Sequence, residues 1–334
     1  MKIYYDARWI GDHGIGRFAR VLDQRLDLPH LMIEGSPSSP FEPLRLLLVM
    51  LLRTSKNVCV FSPGYNAPLL LVRPYVFTIL DLNHIDRAEN SNFFKRLYYR
   101  LVMRRAARKA FRVLTISRFS RQRIIDWSGV DPMRIVNVSC GVDSCYNANV
   151  DPYKPGYPYL LCVSNRKSHK NEPRVLAAFG RAVINSDIRL IFTGQATDVL
   201  LDICCQYGVA DRVVFVGRVP ETDLPGLYRG ALALVFPSLY EGFGLPVIEA
   251  MACGTPVLTS NTTSLPEVAG DAALLVDPLS VDQITLGVER LCTDAVLRAV
   301  LIERGLRQAT KFNWEGVCDK VSATLHELHT SRQA

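Results

Sequence analysis

The sequence predicts an α/β protein of two Rossmann-like domains, each a doubly wound parallel sheet, facing a central cleft. Three observations carry this. Short β-branched runs alternate with helical stretches along the chain, which implies parallel strands with right-handed helical crossovers on both sheet faces. The alternation pauses in one polar stretch, "GVDSCYNANVDPYKPGYPY" at 141 to 159, whose Pro, Gly, Asn and Asp content reads as a linker. At 334 residues with 49% apolar content, the chain can fill two cores.

In chain order, the candidate strands of the first domain, 1–150, are "KIYYDA", "HLMIE", "NVCVFS", "YVFTILD", "RVLTIS" and "RIVNVSC". Those of the second, 151–313, are "YLLCVS", "IRLIFTG", "RVVFVG", "ALVFPS", "PVLTS" and "AALLVD". Open sheets of this kind bind ligands at the carboxyl ends of their strands, so the site is expected in the cleft.

Composition narrows the setting. The nine cysteines are odd in number and form no C-x-x-C pair, which suits reduced core thiols in a cytoplasmic compartment. The opening "MKIYYDARWIG" is strand-like and lacks the basic and apolar regions of a secretory signal. The apolar run "LLLVMLL" at 46 to 52 falls far below the roughly 20 residues that span a bilayer.

The formal charge of +7 is unevenly spread: between Phe93 and Arg112 there are eight basic residues and no acid. They are Lys95, Arg96, Arg100, Arg104, Arg105, Arg108, Lys109 and Arg112. One helix is expected here, with Phe94, Leu97, Leu101 and Val102 as an apolar stripe. Such a helix suits an anionic membrane surface, and equally a surface helix with solvated charges. No nucleic-acid partner is expected, because no binding module accompanies the helix.

Two glycine turns follow. "GIGRFA", from Gly14 to Ala19, satisfies a dinucleotide pattern, but "RWIGDH" separates it from the strand where the first glycine should stand. It is expected instead as a glycine loop that lets backbone approach a phosphate or sugar. "LYEGFGLPVIEAMACGTPV" at 239 to 257 places Glu241 and Glu249 around Gly242, Gly244 and Pro246. Proline suits a first helical turn, and the glycines let backbone N–H groups face an anion. Two carboxylates flanking such a cradle accept from hydroxyls, so the ligand reads as a diphosphate with a hydroxylated group at each end: a nucleotide sugar.

"EGFGLPVIEA" resembles the E-x7-E motif of retaining nucleotide-sugar glycosyltransferases of the GT-B fold, glycosyltransferase family 4 type, and the likeness runs over nearly the full chain. "GIGRF" is similar to that family's glycine loop, "LTISRFSRQRI" to the strand and helix that close its first domain, and "SCGVD" to its linker entry. "CVSNRKSHKN" resembles the segment supplying an Arg and a Lys to the donor diphosphate, and "FNW", Phe312 to Trp314, the start of a last helix, about 314–330, that packs back on the first domain. The resemblance implies that Arg166 and Lys170 stabilise the departing diphosphate. It also implies that Phe243, Gly244 and Leu245 offer backbone N–H groups, Glu241 holds the sugar, Glu249 the ribose, and Arg218 the base. Gly14 and Gly16 would complete the donor side. No cofactor and no metal are expected, since the chain has no D-x-D.

Two positions depart from the family pattern. "FTILDLNHID" carries Leu80 where a histidine commonly precedes the aspartate, leaving Asp81 and His84 as candidates for positioning the acceptor. Ser164 stands where glycine is common. A front-face reaction, with the departing phosphate accepting the proton, tolerates the missing histidine. The expectation is metal-independent transfer of a sugar, mannose from GDP-mannose first, to a saccharide acceptor carried on a lipid. UDP-glucose and UDP-N-acetylglucosamine are alternative donors. A non-catalytic nucleotide-sugar-binding subunit and a GT-B isomerase or phosphorylase are the competing functions.

Overall fold

The computed structural model describes residues 1–11, 14–55, 57–87, 89 and 91–330. The chain forms two compact units: Met1–Gly141 together with the segment from Trp314, and Val142–Asn313.

The first unit holds a five-stranded parallel sheet, β1 (Lys2–Tyr5), β2 (Val58–Ser62), β3 (Tyr75–Thr78), β4 (Arg112–Thr115) and β5 (Ile135–Asn137), in the order β1-β2-β3-β4-β5. Its helices are α1 (Gly14–Leu26), α2 (Glu42–Leu52), α3 (Asn83–Asp86), α4 (Phe93–Tyr98), α5 (Arg104–Lys109) and α6 (Arg118–Ser128). Every residue of β2 and β3 is buried, as a parallel sheet covered on both faces requires. Alternation along the strands sorts the layers. Val60, Tyr75 and Phe77 share one core with Leu46 and Met50 of α2 and with Val102, Met103 and Ala106. On the other face the Tyr5 hydroxyl donates to the Ala19 carbonyl of α1 at 2.6 Å. The last helix of the chain, Trp314–Thr330, belongs to this unit, with the Trp314 ring 6.3 Å from Phe18. Local chemistry sets the ends: the Ser117 hydroxyl accepts from Ser120 N at the start of α6, and Gly129, with φ 68°, closes it.

Two sequence expectations change. "HLMIE" is not a strand; it makes a single parallel bridge, Tyr5 to His30, with Leu31 N donating to Tyr5 O at 2.7 Å. Past Leu31 the backbone runs as irregular coil, so the pairing stops at one bridge and no ladder forms. The expected basic helix is divided: a π turn, Tyr99–Met103, joins α4 to α5, and Arg112 opens β4, where it pairs with Glu327 at 2.8 Å. One extra residue in the turn shifts the helical phase. Val102 therefore enters the core, while Phe94, Leu97 and Leu101 stay exposed.

A buried ion network underlies the carboxyl end of β1. Arg8, its side chain 13% exposed, pairs with Asp6 at 2.7 Å and Glu42 at 2.5 Å, and both carboxylates are enclosed. Asn66 Nδ2 donates to Asp6 at 2.8 Å and its Oδ1 accepts from the Trp9 indole at 2.8 Å. Arg8→Met is expected to destabilise this unit by about 3–5 kcal/mol, because it strands two buried carboxylates; the urea midpoint of the purified variant checks this.

The second unit holds six parallel strands, β6 (Tyr159–Cys162), β7 (Arg189–Phe192), β8 (Val213–Phe215), β9 (Ala233–Phe236), β10 (Val257–Ser260) and β11 (Ala273–Val276), in the order β11-β10-β9-β6-β7-β8. Helices α7 (Glu172–Arg181), α8 (Asp198–Gln206), α9 (Leu224–Gly230), α10 (Leu245–Ala252), α11 (Leu265–Ala269), α12 (Val281–Thr293) and α13 (Ala295–Ala309) connect them, and the helix from Trp314 becomes α14. All six strands lie within the runs read from the sequence.

Candidate active site

In the second unit the chain runs outward from β6 to β7 and β8, then returns to place β9 on the other side of β6. The carboxyl ends of β6 and β9 are therefore the point at which strand order reverses, where an open α/β sheet leaves a crevice for a ligand. Both halves of the expected site come from the loops leaving these two strands.

After β6, the chain makes a short turn of 3-10 helix, Ser168–Lys170, and Asn171 follows in the left-handed region with φ 63°. The Asn171 amide donates to the Pro237 carbonyl at 2.9 Å and to Pro278 at 2.7 Å, clamping this turn to the ends of β9 and β11. Leu239 N and the Ser238 hydroxyl both donate to the His169 carbonyl, at 2.7 and 2.9 Å. Lys170 is thereby delivered to the loop after β9, where its Nζ donates to Glu241 Oε1 at 2.7 Å. Both side chains are mostly buried, 12% and 13% exposed. A charge-assisted pair so shielded is strong, and it keeps a cation and an acceptor at one spot.

From the other side, the Ser264 hydroxyl donates to the Glu241 and Phe243 carbonyls at 2.9 and 2.8 Å. Gly244, with φ 110°, precedes α10, and a Cβ there would lie 2.7 Å from Leu265 Cδ2. Only glycine fits this turn. No side chain caps α10 at Gly244, and Pro246 stands in its first turn. Leu245 starts the helix, and the Phe243 ring is buried edge-on against Phe312 at 5.5 Å. Uncapped first-turn N–H groups and the helix dipole together favour an anion here.

Other expected residues are held differently. Arg166 forms an ion pair with Glu172, and its Nε and Nη2 donate to the Gln195 and Gly194 carbonyls at 2.6 and 2.7 Å. Its guanidinium is thus turned toward the end of β7, not toward Glu241. Glu249 is buried in α10 and accepts from the Tyr228 hydroxyl at 2.8 Å; burial, then the Glu249 charge, hold that phenol far above its ordinary pKa. Arg218 is exposed on the loop after β8.

In the first unit Gly14 and Gly16 do not form a loop. Both stand in the first turn of α1, and a Cβ on Gly16 would collide with the Gly11 carbonyl oxygen. Asp81 follows β3, its N–H donating to the Tyr65 hydroxyl at 2.9 Å and its Oδ1 accepting from Asn83 N at 3.0 Å. His84, on α3, meets the Tyr99 ring edge-on at 6.1 Å. Asn171, Ser264, Tyr228 and the Trp9–Asn66 pair were missed from the sequence. Of these only Asn171 leaves a local signal: an asparagine directly before Glu-Pro, where the chain must turn through the left-handed region into a helix.

Comparison with known proteins shows the family to which this fold belongs. A family described as glycosyl transferases group 1 matches residues 149–308, and one described as glycosyl transferase 4-like domain matches 13–141. O-antigen chain mannosyltransferase B of Escherichia coli is 34% identical over 278 residues, covering 79% of this chain and 73% of that protein. The chain belongs to the group 1 glycosyl transferases, retaining nucleotide-sugar enzymes of the GT-B fold. Within this glycosyltransferase family, O-antigen chain mannosyltransferase RfbU of Salmonella typhimurium is 28% identical, over 75% of this chain and 71% of its own. The fold extends to sucrose-phosphate synthase of Thermosynechococcus elongatus, with a TM-score of 0.78 at 17% identity, covering 99% of this chain and 100% of the other. The glycosyltransferase thus carries Lys170 and Glu241 at the switch point of its second sheet.

Proposed function

We propose that this glycosyltransferase moves mannose from GDP-mannose, with retention, onto a lipid-linked saccharide in polysaccharide assembly, working at an anionic membrane surface. The observation that carries the site assignment is the Lys170–Glu241 pair beside the uncapped start of α10. The donor assignment is supported by the mannosyltransferase relatives.

In the resting protein Glu241 holds Lys170 in place. When the donor enters, its diphosphate takes the ammonium and the backbone N–H groups of Phe243, Gly244 and Leu245 at the entry to α10, while Glu241 turns to the sugar hydroxyls. Arg166 would join the diphosphate by leaving its carbonyl partners. Glu249, which accepts from the Tyr228 hydroxyl in the resting protein, accepts from the ribose hydroxyls. Arg218 meets the base, and Asp81 and His84 orient the acceptor. The bond from the anomeric carbon to the diphosphate breaks, the acceptor oxygen attacks from the same face, and its proton passes to the departing phosphate oxygen. Lys170 and the helix dipole stabilise the charge that develops there.

The test is a panel of nucleoside diphosphates read by melting temperature, followed by turnover with the matching sugar donors. GDP is expected to raise the melting temperature above UDP, and GDP-mannose to be consumed only when a lipid-linked saccharide is added. A shift with UDP alone replaces the donor; consumption without an acceptor replaces the reaction.

A further inference from the structure

Helix α2 is apolar on the side that faces water as well as on the side that faces the core. Leu46, Val49 and Met50 are buried, yet Phe41 just before it and Leu44, Leu48, Leu51 and Leu52 are exposed, Leu52 at 79%. A helix apolar all round belongs inside a protein or against lipid. A shallow groove of about 440 Å³ runs along this side, bordered by Arg45 and Arg53.

The exposed face continues across the first unit. Leu69 N donates to the Pro43 carbonyl at 2.9 Å, bringing exposed Leu69 and Leu70 against the start of α2. The same segment lines a small cavity with Arg105 and Lys109 of α5. Because α2 and the Tyr99–Ala106 stretch share one core, they cover the same face of the sheet. Exposed Phe93, Phe94 and Leu97 of α4 and Leu101 of the π turn extend the apolar surface.

The charges around it are mostly positive, exposed Glu34 at the edge of the groove being the acidic exception. Between Gly35 and Leu80 the single acid is Glu42, and that carboxylate is buried on Arg8. Exposed Arg53, Lys95, Arg96, Arg100, Arg105 and Lys109 surround the leucines and phenylalanines. Apolar side chains inside a cationic margin complement a plane of anionic headgroups over hydrocarbon.

We infer that α2, with Leu69–Leu70 and the start of α4, is the insertion face by which this unit enters an anionic phospholipid bilayer. The basic helix supplies attraction and α2 supplies hydrocarbon contact. This rests on the membrane reading of the proposed function for the kind of surface, but not on its donor or acceptor.

The full chain is to be sedimented with phosphatidylcholine vesicles, with and without phosphatidylglycerol, at low and high salt. Wild type is expected to bind the anionic vesicles and to stay partly bound at high salt, because apolar insertion is not screened. Leu48→Glu with Leu52→Glu should weaken binding by roughly tenfold or more and abolish the salt-resistant part, each buried leucine being worth a decade or more. Its melting temperature should be unchanged, since both positions are exposed. Lys95, Arg96, Arg100 and Arg105 changed together to Gln should lose the salt-sensitive part. Independently, the single variant Leu52→Trp should show fluorescence quenching by brominated acyl chains. The inference is overturned if the double leucine variant sediments like wild type, or if the indole of the Leu52→Trp variant stays unquenched. It is equally overturned if wild type is a dimer that the double leucine variant makes monomeric while vesicle binding survives. If only the arginine and lysine variant leaves binding intact, the electrostatic reading fails and the insertion face stands. Sedimentation needs no substrate, so a wrong donor assignment leaves the outcome unaffected.

Discussion

Glu241→Gln is expected to lower sugar transfer by about 10²–10³-fold, the range for removing one preorganised group at a reacting centre, without loss of nucleoside diphosphate affinity. The sign of the second effect follows from the resting geometry. Lys170 Nζ lies 2.7 Å from the Glu241 carboxylate, so a diphosphate must compete with that carboxylate for the ammonium. A neutral amide of the same shape competes less, and affinity for the free diphosphate should hold or rise as turnover collapses. Calorimetric titration with the diphosphate, beside initial rates, checks both halves. A fall in affinity parallel to the fall in rate would move Glu241 from the sugar to the nucleotide.

Lys170→Ala is expected to act in the opposite sense on binding. Loss of the cation removes roughly 2 to 4 kcal/mol of transition-state stabilisation by the same comparison. It also leaves the Glu241 charge, only 13% exposed, facing an incoming anion. Both kcat/KM and diphosphate affinity should therefore fall. The double variant with Glu241→Gln should bind diphosphate better than Lys170→Ala alone, since groups in direct contact are not additive. If the two substitutions prove additive for binding, the contact seen in the resting protein has no part in donor entry.

How much of this was legible differs between the strands and the site. Eleven β-branched runs became strands because each carries its own hydrophobic pattern. "HLMIE" carries the pattern too, but pairing needs a partner edge of sufficient length, and the chain keeps only the bridge from Tyr5 to His30. The E-x7-E spacing around Gly244 and Pro246 was legible as a glycine turn into a helix, since φ preference and the missing proline N–H are local properties. The partners of its carboxylates were not. Tyr228 lies 21 residues from Glu249, and Lys170 lies 71 from Glu241; no local rule connects residues so far apart.

By itself the sequence determined the α/β class, the positions of the strands, the turn before α10 and the concentration of positive charge between Phe93 and Arg112, because each depends on periodicity, backbone preference or composition within a few residues. Tertiary structure alone decided the rest. Strand order brought the ends of β6 and β9 together, so Lys170 met Glu241. The same packing turned Arg166 toward Gly194 and Gln195. It buried one side of α2 and left the other exposed, although leucines occupy both. In each case the outcome rests on which surfaces the sheet places in contact, and contact between distant segments is a property of the folded chain.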